Sequence, residues 1–307
     1  MVDDKSSQST LPFSARTVRA HLRSGVRGET RLTEFLAQRL ASLHSVPISI
    51  ADFAPVYVDL RMRSSINLLK GTPHEKPPWE EDEQSAMRRF VREGDVVFDI
   101  GANIGLHTVL LSKLVGAKGK VFAFEPNTEL LPNLERTVSG LNNATLHSIA
   151  LSNQSTQSTL FVPEDDTMAS LSAEYMPDTR AIVCEQRRMD DLIDEKILPR
   201  PDFIKCDVEG AELSVFEGAR KTLEHAEAPV VLFEINVWSA NSFNLSVGDA
   251  KYFLAALESP LYKFFELKEN ELRRVETIDA QYSNVLAIPQ SKINRWPEFA
   301  IADRVPL

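Results

Sequence analysis

VVFDIGANIGLHT, residues 96–108, reads as a buried strand that breaks at a glycine turn and continues as a helix. Apart from Asp99 its first five residues are apolar, the pattern of a strand covered on both faces. Gly101 permits a sharp turn, and Gly105 stands where the helix begins, so a ligand can approach the free helix N–H groups with no Cβ in the way. Outward from this stretch, KVFAFE (120–125), ATLHSIAL (144–151), DFIKCD (202–207) and PVVLFEI (229–235) are further apolar runs of strand length. The segments around 105–115, 128–141, 211–226 and 247–257 carry helical periodicity. This alternation predicts an α/β fold, a doubly wound and mostly parallel sheet flanked by helices. YKFFEL (262–267) and SNVLAI (283–288), with ELRRVETI between them, predict a closing antiparallel edge hairpin.

Upstream the signals are weaker. Residues 1–12 are polar and poorly patterned; a helical pattern then runs from about Ser14 to His44. Within it Arg19, Arg23, Arg27 and Arg31 recur every four residues and share one helix face. A solvated face is favoured over a docking surface for an anionic partner. VYVDL (56–60) and INLLKG (66–71) read as strands, and Pro78 opens a helix whose first turn holds Glu80, Glu81, Asp82 and Glu83. The expected organisation is an N-terminal helical arm at 1–46, partly disordered, a lead-in or cap segment at 47–94, the main α/β domain at 95–291 and a tail at 292–307. Removing 1–46 is expected to leave ligand binding intact, since the glycine turn lies beyond Asp95.

Composition excludes several classes. The formal charge of −10 argues against a nucleic-acid backbone as the main partner. Cys184 and Cys206 have neither metal-ligand spacing nor the density of a disulfide scaffold. No apolar run reaches membrane-span length, and the opening MVDDKSSQST lacks a secretory pattern, so a cytoplasmic location is expected. Nothing in the sequence specifies an oligomeric state.

The strand after the glycine turn narrows the ligand. Glu125 ends it, twenty residues beyond Gly105, where a carboxylate can accept both hydroxyls of an adenosine ribose. A dinucleotide fingerprint needs three glycines; here Asn103 stands at the middle position. Asp99 before the turn also suits an amino-acid moiety better than a pyrophosphate. S-adenosylmethionine is therefore the expected cofactor, in preference to NAD.

DIGANIGLHT, AFEPN, IALSN, KCDVEGAEL and LFEIN occur in this order, and over about residues 90–290 the chain resembles the FkbM family of methyltransferases. IKCDVEGAELSVFEGA (204–219) is the most specific part. The resemblance implies a class I, Rossmann-like sheet of seven mostly parallel strands with the last antiparallel. It implies O-methylation of sugars, glycolipids or secondary metabolites. The expected cofactor set is Asp99, Gly101, Asn103, Gly105, Thr108, Glu125, Asn127, Ala150 and Asp207.

An alcohol is a weak nucleophile near neutral pH, so a base or a metal must help remove its proton. Asp207 and Glu209 follow the fourth strand; Glu234 and Asn236 close the fifth, and both strand ends open onto the crevice of Gly101 and Glu125. Asp207, Glu209 and Glu234 are the catalytic candidates. Asp207, Glu234 and Asn236 are candidate ligands for Mg²⁺, with Asp207 or Glu209 as a direct base the competing account. Helix capping is an equal alternative for Asp207 and Glu209. His107 and His147 are lesser candidates for a base. Asp190 and Asp191 begin a short helix. The insert Ser152–Arg187 is placed to cover the site, with Met168, Ser170 and Tyr175 as possible lining. Two rival functions remain. An NAD-dependent oxidoreductase is opposed by the missing glycine. A non-catalytic S-adenosylmethionine-binding module is opposed by the retained acids.

Overall fold

The apolar runs become strands. In the structure, a computed structural model, residues 11–24, 28–50, 53–70, 81–163, 168–174, 178–278 and 280–307 are described. Strands β1 (Val46–Ile48) and β2 (Val56–Val58) form a short antiparallel ribbon. Next come β3 (Val96–Ile100), β4 (Lys120–Phe124) and β5 (Ala144–His147), followed by β6 (Ala150–Leu151), β7 (Thr156–Val162) and β8 (Arg180–Arg187). The last six are β9 (Phe203–Cys206), β10 (Val230–Asn236), β11 (Tyr262–Lys268), β12 (Glu271–Arg274), β13 (Tyr282–Pro289) and β14 (Arg304–Pro306).

The main sheet runs β14-β12-β11-β13-β10-β9-β3-β4-β5. From β5 to β10 the pairs are parallel, and β13 inserts antiparallel between β10 and β11. Those seven strands are the expected ones, and β13, the last of them in the chain, is the reversed one. Two further strands extend the sheet, because Leu272 and Val305 are themselves buried against the core. The β11 and β13 pair therefore lies inside the sheet rather than at its edge, and ELRR is a strand, not a connection.

Each face of the sheet covers its own core. Phe98, Phe124, Phe233 and Ile235 pack on one side with Leu192, Phe216 and Leu254. Val97, Val121, Leu232 and Phe265 pack on the other with Met87, Phe90, Leu110 and Phe299. Alternate residues of the same strand thus serve opposite layers, as the continuous apolar runs require.

Two strand readings are corrected. ATLHSIAL breaks after His147: β5 stays in the main sheet, whereas β6 joins β8 in a separate three-stranded sheet with β7. Gly71 lies outside the described residues, and the INLLK of INLLKG lies on a helix, Arg63–Lys70, not a strand. Its buried Ile66, Leu68 and Leu69 fit either period over so short a run, and packing against the arm selects the helix. The expected start at Pro78 lies outside the described residues; the helix is described from Glu81 to Phe90. Among the described residues no helix is long and apolar enough to cross a membrane.

The arm shares a core with the cap segment and the first helix of the α/β domain. Leu22, Leu43 and Val46, all fully buried, cluster with Ile66, Leu69 and Val109. Removal of residues 1–46 is accordingly expected to destabilise the protein rather than to leave binding intact. Each of those side chains contributes ~1.5–3 kcal/mol by burial. Thermal melting of the truncated chain checks this; a melting temperature close to that of the full chain would refute it.

Candidate functional site

A cavity of about 750 Å³ opens at the carboxyl ends of β3, β4, β9 and β10. At one end lie Gly101, Asn103, Glu125 and Ala150; at the other lie Asp207, Glu209 and Glu234. Seven of the expected residues are thus brought together. The walls include parts the sequence reading had not assigned to the site: Ser64, Asn67 and Lys70 of the cap helix, Glu83 and Met87 of the next, and Tyr282 and Asn284 of β13.

The glycine turn is built by backbone contacts. The N–H groups of Gly101 and Ala102 donate to the carbonyl of Phe124 at 3.0 Å. Gly101 has φ +79°, and a Cβ there would sit 1.8 Å from the Asp207 carbonyl oxygen. Gly105 also permits helix packing: a Cβ there would stand 2.8 Å from Leu134 of the neighbouring helix. Asn103 adopts φ +51° and its side chain accepts from the Ile104 N–H at 2.7 Å, a local bond that suits asparagine to this region.

Glu125 is held in place before any ligand arrives. One carboxylate oxygen accepts from the Asn103 N–H and the other from the Asn127 N–H, both at 2.8 Å. Burial pushes its pKa up to about 7, against those two N–H groups. Each oxygen keeps a further lone pair for a hydroxyl. Asn127 is fully buried beneath this turn, and its own oxygen accepts from the Glu129 N–H.

Asp99 and Thr108 lie below the cavity floor. Asp99 is fully buried, accepts from the Thr108 hydroxyl at 2.6 Å and stands 3.8 Å from Lys205 Nζ. Lys205, overlooked in the sequence, connects the two ends of the site. It donates to the Gly101 carbonyl at 3.0 Å and pairs with Asp207 at 3.3 Å. A lysine inside the buried run FIKC was the available signal, because a buried charge needs a partner.

At the acid end, Asp207, Glu209 and Glu234 each offer a carboxylate oxygen within 4.8 Å of the others. Glu209 has φ +52°, an uncommon conformation for glutamate, and strain of order 1–3 kcal/mol is held at this position. The carboxyl of Glu234 is raised, first by burial and then by Asp207 and Glu209. Glu83 is raised to about 7 by burial, and it accepts from the Asn284 amide. Burial, then Glu234, raises the Tyr282 phenol.

Neighbours sort the remaining candidates. Neither Asp207 nor Glu209 caps the helix Glu212–Gly218, whose N-terminus has no side-chain cap; Glu212 instead ties down the preceding loop, accepting from Val208 and Gly210 N–H groups at 3.0 and 3.3 Å. The oxygen of Asn236 accepts from Trp238 and Ser239 N–H groups, capping the helix Val237–Ser242, while its amide nitrogen faces Glu234. Glu209 also places a carboxylate oxygen near those of Asp207 and Glu234. Burial, then Lys205, pushes His107 down to about 3, leaving a neutral ring with little power as a base. His147 is lowered by burial and stacks on Phe124 at 5.2 Å. Asp190 is buried and accepts from Lys221 and Thr222. Asp191 accepts from Ser155. In the insert, Ala169 and Leu171 rather than Met168 line the cavity. Ser170 donates to the Glu209 carbonyl at 3.0 Å, and Tyr175 lies outside the described residues.

A parallel sheet with one reversed strand slotted between two parallel ones, a glycine turn after the first strand and an acid after the second define the class I methyltransferase fold. Residues 99–264 match the model of the methyltransferase FkbM domain, and the chain belongs to that family. It is similar to the hexuronic acid methyltransferase AglP of Haloferax volcanii, 27% identical over 152 residues. That match spans 48% of this chain and 61% of the relative, less than two-thirds of its length. Solved structures it resembles include a SAM-dependent methyltransferase from Aquifex aeolicus (15% identity, 69% of this chain and 92% of that one, TM-score 0.39). Another is a SAM-dependent O-methyltransferase from Thermotoga maritima (17% identity, 78% and 76%, TM-score 0.36).

The residues present fit S-adenosylmethionine. A pre-positioned buried carboxylate suits a ribose diol, and Phe124, Ile149 and Leu151 give apolar walls for an adenine ring.

Proposed function

We propose that this chain is a cytoplasmic enzyme that transfers a methyl group from S-adenosylmethionine to a hydroxyl of a sugar, glycolipid or secondary metabolite. The observation that carries the reading is one cavity joining Glu125 to the Asp207, Glu209 and Glu234 cluster. When bound, S-adenosylmethionine supplies an electrophilic methyl on a sulfonium centre. Glu125 accepts the ribose hydroxyls, and the Gly101–Asn103 loop lets the backbone approach closely. The cap helix and the insert exclude water from the reacting end. The similarity to a hexuronic acid methyltransferase supports a sugar acceptor, and the ring of carboxylates disfavours nucleic acid.

Asp207, Glu209 and Glu234 hold a divalent cation such as Mg²⁺ in this reading. Three carboxylates so close repel one another, and a hard cation with oxygen ligands relieves that repulsion. Such an ion would lower the pKa of an acceptor hydroxyl. The raised carboxyl of Glu234 holds its proton, and in a second reading the Asp207 carboxylate, paired with Lys205, takes the hydroxyl proton directly.

Calorimetry tests the cofactor: S-adenosylhomocysteine should bind and NAD should not. Glu125→Ala should weaken that binding by about 1–3 kcal/mol. Tight NAD binding with no response to S-adenosylhomocysteine would overturn the assignment. Activity lost to a chelator and restored by Mg²⁺ supports the cation; full turnover in excess chelator leaves Asp207 as the base.

A further inference from the structure

The outward side of the N-terminal helices takes no part in this chemistry. The helix Phe13–Leu22 exposes Phe13, Arg16, Thr17, Ala20 and, just beyond its end, Arg23; the helix Glu29–Ala37 and the residues after it expose Arg31, Leu32, Phe35, Gln38 and Arg39. Both sets recur at spacings of mostly three and four, so each forms one stripe. The expected arginine row is therefore divided. Arg19 is buried, and Arg27 lies outside the described residues.

Large apolar groups stand among these arginines. Phe13 is 78% exposed and Phe35 51%, with Leu32 and Leu40 also exposed. The Arg16 guanidinium lies 6.0 Å from the Phe13 ring centre and that of Arg39 3.6 Å from the Phe35 ring centre. A 2.9 Å bond between the Ser14 and Ser42 hydroxyls brings the start of the first helix beside the turn after the second. Acids turn elsewhere. Glu29 and Glu34, the two acids of residues 11–46, pair with Lys70 and Arg63. This segment holds six arginines, within a chain of net charge −10.

We propose that this face docks on the surface of an anionic lipid bilayer. Phe13, Leu32 and Phe35 enter the headgroup region, and Arg16, Arg31 and Arg39 meet lipid phosphates. Exposed aromatic and leucine side chains flanked by arginine, with no acid on the same stripe, are what an interfacial helix needs. A merely solvated face has no use for two exposed phenylalanines, and an acidic soluble protein would leave them uncovered. The placement also suits the cavity. The helix Arg63–Lys70, which lends Ser64, Asn67 and Lys70 to the cavity wall, packs against both arm helices. Membrane docking would hold that wall close to the lipid surface.

Cosedimentation of the full chain with large unilamellar vesicles tests the proposal. The protein should pellet with phosphatidylglycerol-containing vesicles at low salt, and stay in solution with pure phosphatidylcholine or at high salt. Phe13→Ser with Phe35→Ser, and separately Arg31→Gln with Arg39→Gln, should each reduce partitioning by about tenfold or more. Melting temperature and S-adenosylhomocysteine affinity should not change in either pair. The proposal is overturned if the wild-type protein ignores anionic vesicles, or if both variants pellet as it does. It is also overturned if light scattering shows a dimer that the phenylalanine variant converts to monomer, which would make this face a contact between copies.

Discussion

Asp207→Asn is expected to cut turnover by about 10²–10⁴-fold while S-adenosylhomocysteine affinity stays within a few-fold of wild type. Asparagine keeps the size of the side chain and a hydrogen-bond acceptor within reach of Lys205, which lies 3.3 Å away. What it loses is the charge that sits with Glu209 and Glu234 within 4.8 Å. Glu125 is held by its own backbone contacts and should be untouched. The loss therefore belongs in kcat, with little change in ligand binding. Steady-state kinetics beside calorimetry decides it. Turnover near wild type would remove Asp207 from the chemistry, and a parallel collapse of ligand binding would make it a scaffold residue.

Gly101→Ala should be the most damaging change of a single small residue. The backbone at φ +79° already disfavours any residue with a Cβ, and the added carbon would lie 1.8 Å from the Asp207 carbonyl oxygen. That oxygen is backbone and cannot rotate away, so β3 and β9 must part or the loop must refold. Left-handed strain of ~1–2 kcal/mol plus overpacking of ~1–3 kcal/mol predicts a loss of about 2–5 kcal/mol, with the cofactor loop displaced. Gly94→Ala is the control, since Gly94 has φ +92° but open space around it. It should lose only the strain. Denaturant unfolding of the two variants compares them directly. Equal midpoints would show that the close approach at Gly101 is soft.

Residues whose chemistry is local were the readable ones. VVFDIGANIGLHT announced a strand, a turn and a helix because each needs only near neighbours, and Glu125 was legible from its place after the next apolar run. Contacts made across the sheet were not. Gly105 was legible as a turn glycine, but the close approach of Leu134, from another helix, was not. Asn236, read as a candidate metal ligand, also caps the helix that follows it through the N–H groups of Trp238 and Ser239, a local role. INLLKG is too short for periodicity to separate helix from strand, and its partners Leu22 and Leu43 lie far off in sequence. Lys205 was hidden by the opposite bias: in an apolar run a lone charge is easily passed over, although its burial is what demands Asp99 and Asp207 beside it.

The position of β13 bears on how the chain reaches its native state. It is the last of the seven central strands to be synthesised, yet it belongs between β10 and β11. Until residues 282–289 arrive, the place between β10 and β11 is unfilled, and each keeps an unpaired border of N–H and C=O groups. Such borders template association with other chains. Nascent or proteolysed forms ending before residue 282 should therefore aggregate, even though every residue of the glycine turn and of the acid cluster has by then been made.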